Sequence, residues 1–130
     1  MAQRTNQMLA ASLAAFAGIV HAIKVPDHFS IATWLGVLFV MDAIGLVLMA
    51  VWLLVRPSRL AAGAAGLLAI GTAGGYVISR TVGLPSVGRL PWDTIGIVVT
   101  VGELALALVC LPMLATRRSM AASEDVRRAA

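Results

Sequence analysis

IATWLGVLFVMDAIGLVLMAVWLLV, residues 31–55, decides how the chain must be read. It is one apolar run whose only charge, Asp42, sits in its middle. About 20 apolar residues suffice for a helix to cross a bilayer. A helix on the surface of a soluble core carries a polar stripe every third or fourth residue, and this stretch has none. A carboxylate at the centre of a span costs at least ~2.5–3.5 kcal/mol on insertion scales, so Asp42 needs a partner or a use.

The composition points the same way. Of 130 residues, 60% are hydrophobic and 12% are charged, well below the roughly 25% charged residues of soluble domains. The net charge of +4 does not mark a nucleic-acid partner. The basic residues fall in short clusters at the ends of apolar runs and form no continuous face, and no stacking platform accompanies them. The single cysteine, Cys110, lies inside an apolar run, which leaves no disulfide framework and no CxxC motif; its plain reading is a small buried hydrophobe.

Three more runs complete an all-α, integral membrane bundle of four transmembrane helices, with spans predicted near 8–24, 31–55, 60–79 and 94–114 and a polar cytoplasmic tail over 116–130. The domain is thus 1–115. The first run follows Arg4 and is dense in alanine; a secretory signal peptide is the competing reading, but no small-x-small cleavage site precedes a soluble domain. Pro26 is expected to stop the first helix, making residues 24–30 a loop. The third run is rich in glycine, and its Gly71–Gly75 pair predicts a helix packed closely against neighbours in lipid. Residues 79–93, SRTVGLPSVGRLPWD, with Pro85, Pro91 and two glycines, read as a turn-rich connection. The tail is expected to be frayed or to form one turn capped by Ser123.

Basic residues set the expected orientation. Arg4, Arg56, Arg59, Arg117, Arg118, Arg127 and Arg128 fall on one side, against Lys24, Arg80 and Arg89 on the other. Short loops rich in Lys and Arg stay cytoplasmic, which predicts a multi-pass plasma-membrane protein, N-in and C-in. Trp34 and Trp92 start spans at the outer interface and Trp52 ends one at the inner, as an aromatic belt requires.

Asp42 lies eleven positions after Ile31, and Glu103 eleven after Trp92. Both carboxyls therefore sit about 16 Å below the outer face, near the midplane of the bilayer. Facing each other, they would share a proton or hold a cation. The bland alternative is a neutral acid hydrogen-bonded between helices. Gly96, Thr100, Glu103, Ala107 and Cys110 fall on one helical stripe, and Thr72, Tyr76 and Ser79 or Arg80 on another. Together they predict a polar seam from the midplane outward. His21, His28 and Asp27 offer imidazole and carboxylate donors of the kind that hold zinc, copper or iron, although no HxxxH or HxxE spacing supports a metal. A His21 hydrogen-bonded inside the bundle and a His28 at the headgroups is the plainer reading, and a proton relay from His28 through His21 is the third. Arg80 either snorkels to the headgroups or turns inward to Asp27, Asp93 or Asp42. Residues 80–85 with Arg89, Trp92 and Asp93 would then form a lid.

His21 near the end of the first span, PDHF at 26–29, SRTVGLP at 79–85 and PW at 91–92 together resemble uncharacterised four-helix integral membrane proteins of high-GC actinobacteria. The resemblance covers most of the chain through short motifs. It implies the four-span topology and an important outer loop, and it carries no activity. In size and in its membrane glutamate the chain is also similar to small multidrug-resistance exporters, but their glutamate is in the first span, which here has none.

Three functions follow from these residues. The first is a polar intramembrane site at Asp42 and Glu103, open to the outer face past His21, Tyr76, Arg80 and Thr100, that binds or conducts a proton or cation; transport would need a homo-oligomer. The second is a non-catalytic accessory or scaffold subunit of a larger membrane complex. The third, a quinone or haem module, is weakest because both histidines lie on or just after one helix. No motif identifies a cofactor. The expected partners are lipid and other copies or subunits, with no nucleic acid and no catalytic residue.

Overall fold

The computed structural model of the chain describes residues 2–129, and side chains over 2–115. Four helices follow one another: α1 (Ala2–Ile31), α2 (Thr33–Val55), α3 (Arg59–Thr81) and α4 (Thr94–Ala129). The stretches Ala2–Ile31, Thr33–Val55, Arg59–Thr81 and Thr94–Ala115 are each long and apolar enough to cross a membrane. The helices run up, down, up and down, each packing on its chain neighbours, with α4 closing back on α1.

The α1–α2 turn departs from the sequence reading. Pro26 does not stop α1, which continues to Ile31. The break falls instead at Ala32, a single extended residue that starts α2. An interior proline loses one backbone bond and crowds the carbonyl four residues back, but here side chains reinforce the turns around it. Lys24 Nζ pairs with Asp27 at 2.9 Å, His28 Nδ1 reaches the Lys24 carbonyl at 2.8 Å, and Ser30 Oγ donates to the Asp27 carbonyl at 2.6 Å. Asp27 and His28 are therefore helical residues, not loop residues. Phe29 then lies over Gly36, where a Cβ would collide with the ring.

The other helix ends are capped as their residues dictate. Ser58 Oγ accepts from the Ala61 amide at 3.1 Å and starts α3. The C-terminal carbonyls of α2 are reached from α1, where Gln7 Nε2 donates to Leu53 at 2.8 Å. Between α3 and α4, Leu84 and Gly88 exchange backbone bonds of 2.8 and 2.9 Å around a turn with Pro85 second and Ser86 in the left-handed region. A bond from the Leu90 amide to the Ser79 carbonyl, 2.9 Å, ties this hairpin down onto α3. The backbone of α4 stays helical beyond Leu114 to Ala129, so residues 116–129 are neither a frayed tail nor a single turn; the Ser123 side chain lies outside the described residues.

The bundle differs between its two halves. Toward the termini, Ala10, Ala14 and Ala17 of α1, Leu46, Ala50 and Leu53 of α2, Ala61, Ala65 and Ala69 of α3, and Leu106, Cys110 and Met113 of α4 form one buried core. Small side chains let these helices approach closely. Toward the α1–α2 turn and the 82–93 loop, here called the hairpin end, polar and aromatic side chains hold the helices apart. The outward faces along the spans are largely apolar: Met41, Leu48, Leu67, Val101 and Leu108 are all more than half exposed. The Gly71–Gly75 pair does not mediate a helix contact within the chain, contrary to expectation. A Cβ at Gly71, Gly74 or Gly75 would meet nothing within 4 Å.

Candidate functional site: a half-polar cavity in the hairpin half

The splayed half encloses a cavity of about 540 Å³, within the range of roughly 300–1,000 Å³ typical of small-molecule sites. Its wall includes His21, Asp27 and His28 of α1, Asp42 of α2, Tyr76 and Arg80 of α3, and Asp93, Thr100 and Glu103 at and along α4. Nine of the ten residues expected at the site thus converge on one space, and the tenth, Arg89, is exposed on the 82–93 loop and lies outside that wall. The alanine core and the buried Leu46 and Leu106 close the cavity toward the termini.

At its deep end Glu103 is 1% exposed and its Oε1 has no hydrogen-bond partner. His21 stands beside it, with Nε2 3.8 Å from Oε1. That length exceeds a hydrogen bond but keeps the two groups within strong electrostatic reach. The Nδ1 of His21 lies 2.9 Å from the Ala17 carbonyl, which can only accept, so Nδ1 carries a proton. Its Nε2 faces the carboxyl. Asp42 is half-buried and interacts electrostatically with both His21 and Glu103. The expected pair of acids is therefore joined by His21, which makes a trio. Thr72 of α3 donates its hydroxyl to the Leu68 and Ala69 carbonyls at 3.1 and 3.0 Å and also stands within hydrogen-bonding reach of the Glu103 carboxyl.

Phe39 of α2 was not among the residues expected at the site. Its ring stacks on His28 with centroids 3.4 Å apart and lies 5.1 Å from His21. An apolar ring therefore stands where a relay from His28 to His21 would run. Only its position on the face of α2 one turn before Asp42 could have drawn attention to it. Among the described residues, no group of three or more His, Cys, Asp or Glu is placed to hold a metal ion.

At the hairpin end, Arg80 turns inward and does not snorkel. Its Nη2 meets Asp93 Oδ2 at 2.9 Å, its Nη1 donates to Ser79 Oγ at 2.6 Å, and its guanidinium lies 4.1 Å from the Tyr76 ring centre. The Tyr76 hydroxyl donates to the Asp93 carbonyl at 3.1 Å, and Trp92 meets the Tyr76 ring edge-on at 5.7 Å. Asp93 also caps α4, its Oδ1 accepting from the Gly96 amide at 2.7 Å. An acid just before an apolar helical run is a capping signature. Burial pushes the Asp93 carboxyl up, but the Gly96 amide and the Arg80 guanidinium outweigh it and hold it below its ordinary value. Gly96 is required here, because a Cβ would enter the Tyr76 ring.

Comparison with known protein families, with curated proteins and with solved structures found no match to this chain. Any functional reading therefore rests on the site itself.

Proposed function

We propose that the chain is a multi-pass plasma-membrane protein, with both termini cytoplasmic, whose cavity binds a proton or a monovalent cation at Glu103, His21 and Asp42 from the outer side. The observation that carries this is Glu103: a buried carboxyl in the cavity wall, with one oxygen unpartnered and the His21 imidazole beside it. Such a group costs free energy unless it is neutralised by a proton or a cation. Membrane placement is supported by apolar outward faces around a polar interior. The orientation is supported by the excess of arginines at the terminal end, Arg4, Arg56, Arg59, Arg117 and Arg118, over Lys24, Arg80 and Arg89 at the hairpin end. The closed alanine half favours binding over conduction through a single chain.

Glu103→Gln tests the reading. Infrared difference spectra of the protein in lipid, recorded against pH and in heavy water, are expected to show one buried carboxyl titrating in the native chain and none at that position in the variant. A Gln variant with an unchanged carboxyl signal, altered only in stability, would remove the site. A second reading, an accessory subunit of a larger membrane complex, is favoured by the outward glycine face of α3, where another helix can approach closely. In that case Gly74→Leu would release the partner without touching the carboxyl signal.

A further inference from the structure

The cavity reaches the surface sideways as well as at the hairpin end. Between α2 and α3, Leu38, Leu67, Gly71 and Gly75 all line it and are all exposed. These helices touch closely at Gly45 and Leu68, nearer the alanine core. Above that contact the two glycines leave α3 without side chains, so the gap lies on the flank that faces lipid. A charge inventory says what the gap admits. Lys24 and Arg80 are each engaged by an acid at 2.9 Å. The deep wall keeps two carboxyls, Asp42 and Glu103, against a single imidazole, and Glu103 Oε1 lacks a donor.

Resting on the site proposed above, we infer that the cavity takes a membrane-dissolved amphiphile with one cationic, hydrogen-donating head, such as a primary alkylammonium, which enters sideways between α2 and α3. The ammonium donates to Glu103 Oε1 beside Asp42, and the hydrocarbon lies along the apolar gap toward the lipid. Binding exchanges one cation for one proton: the Glu103 carboxyl releases H⁺ to water and the ammonium takes its place, with no bond made or broken in the ligand.

The test uses the full chain in lipid nanodiscs with dodecylammonium as probe, and dodecanol and laurate as neutral and anionic probes of equal chain length. Calorimetry in weak buffer, corrected with empty nanodiscs, should show saturable dodecylammonium binding with proton release, and none for dodecanol or laurate. Glu103→Gln should weaken dodecylammonium more than about tenfold. Gly71→Leu with Gly75→Leu fills open space, and Leu67→Trp narrows the same gap by another route. Each should slow association more than about tenfold, whereas Gly74→Leu, beside the gap, should match the native chain. Equal binding of all three probes overturns the ligand class. Native association rates in both narrowed variants overturn the lateral route. A native titrating carboxyl with no saturable dodecylammonium binding defeats this inference alone, whereas an infrared signal insensitive to Glu103→Gln defeats the underlying site.

Discussion

Replacing Asp93 separates two roles that one carboxylate performs. Asn keeps an acceptor for the Gly96 amide but removes the charge facing Arg80, whereas Ala removes both. Losing a side-chain cap costs about 1 kcal/mol. The charge component lies between two limits: breaking a buried ion pair costs about 3–5 kcal/mol, and an exposed pair contributes about 0–1. The Arg80 side chain is 9% exposed and that of Asp93 45%, so solvent screens one partner and the expected loss is about 1–2 kcal/mol. Asp93→Asn should therefore destabilise by about 1–2 kcal/mol and Asp93→Ala by about 2–3.

Equilibrium unfolding in mixed micelles, followed by far-ultraviolet circular dichroism, measures both. The pH dependence supplies an independent check. The Asp93 carboxyl is held below its ordinary 3.8 in the folded chain. Its contribution is thus complete above that unfolded value and disappears as pH falls through the lower folded one. The gap between native and Asn chains should stay constant at neutral pH and close only in acid below about 3.8. Equal losses for Asn and Ala would refute the cap. A gap between native and Asn chains that stayed open in acid, or that never appeared, would refute the ion pair.

Gly96→Ala should destabilise by about 1–3 kcal/mol because the methyl group displaces the Tyr76 ring, while Gly71→Ala, facing open space, should be neutral or stabilise by up to about 1 kcal/mol through helix propensity; the same unfolding titration compares them. Cys110 is 2% exposed, so a membrane-impermeant maleimide should leave the folded native chain unlabelled. Ser86→Cys, on the exposed loop, should then be labelled from outside intact cells, and labelling only after lysis would reverse the proposed orientation.

Four helices were legible because length and hydropathy decide spans with little help from tertiary contacts. The site was legible because ionisable residues in apolar runs stand out, and nine of the ten named converge on one wall. What failed depended on competing local bonds. Pro26 reads as a stop, but the Lys24–Asp27 pair, the His28 contact to the Lys24 carbonyl and the Ser30 bond hold the helix through it. Gly71 and Gly75 read as a close helix contact, but a GxxxG pair says only that a close approach is permitted. It does not say which surface accepts it. Phe39 carried no signal beyond its place one turn before Asp42, since one aromatic among aliphatic residues is indistinguishable until its neighbours are known.

The two halves of the bundle explain each other. Alanines at 10, 14, 65 and 69 bring helices together tightly and leave no room for chemistry. That contact supplies the packing that keeps the hairpin half assembled while its helices splay around charged groups. At the rim, every cation in the wall has an acid: Lys24 with Asp27, Arg80 with Asp93. A protein that only needed helix glue would satisfy its deep acids in the same way, because an unpartnered buried acceptor costs about 1–3 kcal/mol and contributes nothing to packing. Glu103 is instead left with an unpartnered oxygen, a second carboxyl nearby and one imidazole beside it. Structure alone is better served by a methionine at that position, so the carboxyl makes physical sense as a place where a positive charge comes and goes.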